Sequence, residues 1–184
     1  TIQRAIDMAS PGNTVLVARG TYYEYIYFGN KTGVELIGEK RDTTIIDGRF
    51  ESENKSLVLL EHSHNVTISG FTIRNGHGDG VFINGSNNNM ADNIVASNHG
   101  YGIYLNGKGN NITDNLISNN RIGVRCTIGT EENVIYHNKF VCNAIQAIDN
   151  ASNIWYNLYG DPDEGYCGNY WSDHECSDEK RGAF

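Results

Sequence analysis

NNMADNIVASN (residues 88–98) is followed by NNITDNLISNN (residues 110–120) and then by NVIYHNKFVCN (residues 133–143). All three are one phrase, Asn-x-apolar-x-x-Asn-x-apolar-x-x-Asn. It returns after 22 residues (110 − 88) and again after 23 (133 − 110). Its apolar members are Met90 and Val95, Ile112 and Ile117, and Ile135 and Phe140. A weaker copy carries Ile68 and Ile73, and a truncated one carries Asn153 and Trp155. A fixed period of this length is the mark of a solenoid.

A second phrase fills the gaps. GDGVFING (residues 78–85) matches GYGIYLNG (residues 100–107) at the same offset, and GVRC (residues 123–126) is a third copy. Apolar residues alternate within it, which is strand periodicity. Val81, Ile83, Ile103, Leu105, Val124 and Cys126 are expected to point inward, and Phe82, Tyr104 and Arg125 outward. One such coil cannot bury its own apolar face. Coils stacked about 4.8 Å apart can, because each inward residue rests on its equivalents above and below. Asn at the corners tolerates left-handed backbone and offers an amide that bonds to the Asn of the next coil. The expected fold is therefore all-β, a right-handed single-stranded parallel β-helix with coils of about 22 residues.

The ends are less regular. Residues 1–9 read as a short helix with Ile2, Ala5, Ile6 and Ala9 on one face, stopped by Ser10-Pro11-Gly12. Such a helix would cover the open edge of the first coil. The whole chain, residues 1–184, reads as one domain: a helical cap (1–12), coils (13–156) and an irregular, aromatic, Cys-bearing cap (157–184).

Composition bounds the function. The net charge of −8 argues against nucleic acid and anionic membrane surfaces as partners. No apolar run approaches the roughly 20 residues of a membrane span. Four Cys without metal-type spacing permit disulfides in an oxidising compartment. Asn-x-Ser/Thr sequons at Asn30, Asn54, Asn65, Asn84, Asn111 and Asn150 are candidate glycosylation sites of a secreted chain.

TIQRAIDMASPGNTVLVARGTYYE (residues 1–24) resembles the opening of pectin-lyase-like β-helix proteins, and NVTISGFTIRNG (residues 65–76) resembles the carbohydrate-binding and sugar-hydrolase β-helix repeat. NIWYN (residues 153–157) followed by GNYWSD (residues 168–173) is similar to the end of the NosD-like periplasmic copper-binding family. The resemblance implies the β-helix fold and an extracellular, cell-surface or periplasmic location. It does not single out an activity, since such repeats occur in enzymes and binding modules alike. Cys167 and Cys176 bracket the GNYWSD phrase and are a candidate disulfide pinning the cap. Cys126 reads as a buried core residue; Cys142 is either free or bridged to the tail.

Three constellations are candidate sites. His77, His99 and Arg121 fall at equivalent places before successive strands, with Asp79 and Tyr101 two residues on. Stacked on one edge, they suit a glycan, since Tyr offers a flat face and the polar groups bond hydroxyls or carboxylates. Asp92, Asp114 and His137 form a second column, which turn preferences explain equally well. Asp161, Asp163 and Glu164 form an acidic loop, a candidate Ca²⁺ site without the spacing of a full calcium loop. Soft copper sites favour Met and Cys; the only Met residues are Met8 and Met90, the latter in the core pattern, so copper is not expected. His62 and His64 are expected on one face of a strand as a bidentate pair for a harder ion.

The expected function is a non-catalytic extracellular module that binds glycan or builds a surface assembly, without a required cofactor. Two alternatives remain open: a polysaccharide lyase, glycoside hydrolase or epimerase on the outer face, and a structural subunit of a filament or surface layer that self-associates.

Overall fold

The computed structural model describes residues 1–50, 53–155 and 168–172. After a short helix, Ile2–Met8, the chain passes through three parallel sheets in rotation. The first sheet holds Thr14–Val17, Glu35–Gly38, Thr67–Ser69, Asn89–Ala91, Asn111–Thr113, Glu131–Tyr136 and Ser152–Ile154. The second holds Gly20–Tyr22, Thr44–Asp47, Thr72–Arg74, Ile94–Ala96, Leu116–Ser118, Lys139–Val141 and Tyr170–Ser172. The third holds Ile26–Gly29, Val58–His64, Val81–Ser86, Tyr101–Leu105, Ile122–Cys126 and Ile145–Asp149. Each strand pairs with the strand one coil away, so the chain is a right-handed parallel β-helix.

Inward side chains stack on like side chains. Ile68, Met90, Ile112 and Ile135 share one register column, and Ile73, Val95, Ile117 and Phe140 another; all are fully buried. In the third sheet Phe28, Leu60, Ile83, Leu105 and Cys126 form a column that ends on Asp149. Asp149 is satisfied at that end of the core by the Trp155 indole N–H (2.8 Å), the Asn153 amide (2.9 Å) and the Ala151 N–H (3.0 Å).

The three corners carry three asparagine ladders. One runs through Asn88, Asn110, Asn133 and Asn153; the second through Asn93, Asn115, Asn138 and Asn169; the third through Asn98, Asn120 and Asn143. Each Oδ1 accepts from the backbone N–H and the side-chain amide of the Asn one coil earlier, as Asn115 does from Asn93 at 3.0 and 3.2 Å. Each amide except that of Asn153 also donates to a carbonyl of the coil before, as Asn115 does to Met90 at 2.9 Å. Buried backbone groups at the bends thereby find partners that no strand supplies.

The structure corrects one expectation here. A single Asn does not do both corner jobs. At eight corners the left-handed residue is the one before the ladder Asn: Asn87, Asp92, Ser97, Asp114, Asn119, Glu132, His137 and Cys142 all lie between φ 54° and 61°. Side chains there point out of the bend, and those of Asp92, Asp114 and His137 are exposed.

The helix closes the first coil through both its apolar and polar faces. Ile2 and Ile6 are buried against the core. The Gln3 side chain acts as a missing strand: its amide donates to the Tyr27 carbonyl at 2.9 Å and its oxygen accepts the Tyr27 N–H at 2.7 Å. Glu24 accepts the N–H groups of Ile2 and Gln3, and Lys31 donates to the carbonyls of Asp7 and Ala9, so both helix ends are satisfied. At the other end the repeat, broken in the sequence after Asn157, resumes at Asn169. Trp171 continues the Phe140 column and stacks on that ring at 4.4 Å.

Candidate functional site on the third sheet

Strand alternation makes an outward column along the third sheet of Tyr27, Leu59, Phe82, Tyr104, Arg125 and Ile148. The Phe82 and Tyr104 rings stack with centroids 4.8 Å apart and planes 20° apart. Tyr101 lies 5.0 Å from Tyr104 but is tilted by 53°, outside the stack. The Tyr27 hydroxyl donates to Glu61 at 2.7 Å, a bond that raises the pKa of the phenol.

The candidate edge borders this column, and the third ladder spaces it. Gly76 occupies the ladder position of its coil, donating its N–H to the Asn98 Oδ1. His77, His99 and Arg121 each follow a ladder position, at Gly76, Asn98 and Asn120, so one is delivered per coil. All three side chains are exposed. The His77 and His99 rings meet edge to face with centroids 5.1 Å apart. Asp79 is half-buried rather than free at the edge. Its carboxylate accepts the Tyr101 N–H at 2.9 Å and the Ser56 hydroxyl at 3.3 Å, and burial raises its pKa. It sits over Gly100, whose Cβ would come within 2.4 Å of an Asp79 oxygen.

One flanking feature escaped the sequence reading. At the corner between the second and third sheets, residues 48–57 make a longer connection than the equivalents at 97–100 and 119–121. Phe50 on it is 73% exposed and packs against Tyr23 at 4.8 Å, while the Lys55 ammonium lies 3.8 Å from the centroid of the Tyr25 ring. Asp47 anchors the base of the loop. Its fully buried carboxylate accepts from Arg49, Arg74 and Asn75 at 2.7 to 3.0 Å. Burial alone would raise the Asp47 pKa, but these hydrogen bonds outweigh it and hold the carboxyl far below the usual range. Asp47 aligns with Arg74 at an offset of 27 residues, which a 22-residue period hides.

The other candidates fare differently. Asp92 pairs with Arg41 at 2.7 Å, and Asp114 lies 3.7 Å from His137, so this column is a set of left-handed corners with local partners. His62 and His64 are expected as a pair on one face of a regular strand, and the strand is not regular there. His62 is a bulge residue at φ 51°, where the register with the next coil shifts, and His64 bonds Ser86 at 2.7 Å. Asp161, Asp163, Glu164, Cys167 and Cys176 lie outside the described residues. Asn30, Asn54, Asn65 and Asn150 are exposed, whereas Asn84 and Asn111 are half-buried and the Asn111 amide donates to Asn89.

A family model described as periplasmic copper-binding protein (NosD) matches residues 7–176. The chain belongs to the NosD family. No curated protein and no solved structure matches it. Family membership gives it a place outside the cytoplasm, in the periplasm or beyond, and no helix among the described residues is long and apolar enough to cross a membrane. The copper in the NosD name finds no matching donor set among the described residues. Among the described residues no group of three or more His, Cys, Asp or Glu could hold a metal ion. Met90 is fully buried in the core. The Cys126 thiol is also buried, and burial, reinforced by Asp149, raises its pKa and disfavours the thiolate a metal requires.

Proposed function

We propose that the chain is a non-catalytic extracytoplasmic module that binds glycan along the outer face of its third sheet. The supporting observation is the aromatic column Phe82–Tyr104 beside an edge of His77, His99 and Arg121 repeating coil by coil. Sugars contact aromatic groups through their C–H faces and polar groups through hydroxyls, and this face offers both. Phe82 and Tyr104 turn their faces to each other, so a sugar would meet their outer edges, the Tyr104 hydroxyl and the tilted Tyr101 ring. Two carboxylates on this sheet and its edge are already bonded, Asp79 to Tyr101 and Ser56, and Glu61 to Tyr27. A glycosidase needs two carboxyl groups facing the bond, so this arrangement favours binding over turnover.

A glycan array paired with a turnover assay on the glycans that bind tests the reading. Binding without product, weakened roughly tenfold in Tyr104→Ala by loss of one aromatic contact, is the expected result. Bond cleavage that disappears in His99→Ala would make the protein an enzyme. A second reading, packing between copies, draws on the column of the second sheet that runs Ile45, Thr72, Ile94, Leu116 and Lys139, apolar at three of its five places. Sedimentation that shifts with concentration, together with a blank array, would favour it.

A further inference from the structure

We propose that Cys142 and Cys176 form a disulfide that clasps the chain beyond Ser172 to the last strand of the third sheet, and that Cys167 stays a thiol.

Position makes Cys142 available. It stands at the corner between the second and third sheets, left-handed at φ 55° and half-buried. Asn119 and Ser97 hold the same place one and two coils earlier. Both are polar, so this is not a core position. Cys126 differs: it is a free thiol, fully buried in the third-sheet column, out of reach of any corner. Cys142 is disulfide-bonded, which leaves Cys167 and Cys176 as the candidates for its partner.

Register separates the two. The Gly168 carbonyl accepts the His137 N–H at 3.2 Å, and Ser172 pairs with Val141. Cys142 therefore sits at one end of the strand Lys139–Val141, and Cys167 belongs beyond the other end. His137 and Cys142 are five positions apart (142 − 137), roughly 15 Å of chain at about 3.3 Å per residue. A disulfide joins Cα atoms only about 4.4–6.8 Å apart. Cys167, one peptide bond from Gly168, cannot close that gap. Cys176 follows Ser172 by four positions (176 − 172), enough chain to turn the corner and come back to Cys142.

The place gives the bond a purpose. The first and second sheets continue to Ser152–Ile154 and Tyr170–Ser172, whereas the third ends one step sooner, at Ile145–Asp149. Ile145, at the start of that strand, is 41% exposed. The last strand of a sheet invites pairing with other chains unless something covers it. At the opposite end of the solenoid, the helix and the Gln3 side chain do this work. A bond at Cys142, three positions before Ile145 (145 − 142), holds the residues after Ser172 beside this edge.

The bond forms by thiol–disulfide exchange. The two thiols give up two protons and two electrons as the S–S bond forms. A protein disulfide of the oxidising compartment takes up both and is left as a dithiol. The family's place outside the cytoplasm provides that setting.

Mass spectrometry reads the pairing directly. The full chain, exported to an oxidising compartment, is denatured, alkylated without reduction and cut with chymotrypsin; cleavage after Tyr166 and Trp171 separates Cys142, Cys167 and Cys176. The expected result is one cross-linked species that joins the Cys142 and Cys176 peptides, with Cys126 and Cys167 alkylated. A link between Cys167 and Cys176, or an alkylated Cys142, overturns the pairing. Hydrogen exchange tests the clasp. Cys142→Ser keeps the bend, since Ser97 adopts it at φ 57°. In that variant exchange across Ile145–Asp149 should quicken at least tenfold while Asn111–Thr113 keeps its rate, and Cys167→Ser should change neither. Unchanged exchange at Ile145–Asp149 in Cys142→Ser overturns the covering role.

Discussion

Replacing Asn115 by Ala removes five hydrogen bonds at the middle of the second ladder. Its Oδ1 accepts from the Asn93 N–H (3.0 Å) and the Asn93 amide (3.2 Å). Its amide donates to Met90 O (2.9 Å), Thr113 O (2.8 Å) and Asn138 Oδ1 (3.0 Å). The losses are unequal. Asn138 Oδ1 keeps the Asn115 backbone N–H, and the Asn93 amide keeps the carbonyls of Ile68 and Ala91. The buried Asn93 N–H loses its acceptor outright, at a cost of about 1–3 kcal/mol, and the Met90 and Thr113 carbonyls each lose one bond. With the small void left behind, the total comes to about 3–5 kcal/mol. The adjacent Asp114, left-handed at φ 56° and exposed, should behave oppositely: Asp114→Gly should stay within about 1 kcal/mol of the parent. Urea unfolding of both variants, with slopes compared to confirm that the same surface is exposed, gives the two values. An Asn115→Ala cost below about 1 kcal/mol at unchanged slope would refute the ladder as a source of stability.

The two acidic residues with shifted pKa values should respond to pH in opposite ways. Asp47 is held below its unfolded value, so its contribution is present at neutral pH and is lost as pH falls below about 4. Asp47→Asn should therefore destabilise at pH 7 and converge on the parent in acid, read from melting temperature against pH. Asp79 is raised by burial, so its ionisation costs stability at neutral pH. Asp79→Asn should melt at or above the parent at pH 7, with the gain fading in acid. A Cβ at Gly102 would lie 2.6 Å from the Gly123 carbonyl and 2.8 Å from the Asn120 amide, so Gly102→Ala should cost about 2–3 kcal/mol. At Gly129 a Cβ meets nothing within 4 Å, so Gly129→Ala should show only the left-handed penalty of about 1 kcal/mol in the same denaturation assay.

The period made the coil legible because stacking forces like residues into register. Met90 over Ile68 or Ile103 over Val81 is written directly in the 22-residue offset. Division of labour at the corners was harder to see, since Asn87-Asn88 and Asn119-Asn120 put the same residue in both roles. Asp92-Asn93 and Cys142-Asn143 hold the clue: there only the second residue is Asn, and only the first is left-handed. The bulge at His62 left no mark because Val58–His64 reads as an unbroken strand. At the candidate site the column His77, His99, Arg121 was visible for the same reason as the core. The Asp47 anchor was not, because the loop at residues 48–57 moves its partner Arg74 out of period. Asp79 looked like an edge residue in sequence, and its bond to the Tyr101 N–H makes it part of the wall.

The ladders also determine where such a chain can change length. One residue added inside a strand would turn every later side chain through the wall of the tube. Residues added at a corner leave each Asn over its counterpart. Asn153 and Asn169 are separated by 16 positions (169 − 153), against 5 (138 − 133) in the preceding coil, yet Asn169 still accepts from Asn138 at 3.1 Å and donates to Ile135 O at 2.8 Å. Growth is thus confined to two currencies of descent, the whole coil and the corner excursion. Duplicating a coil lengthens the recognition face by one tooth, and extending a corner reshapes its rim, and neither disturbs the interior.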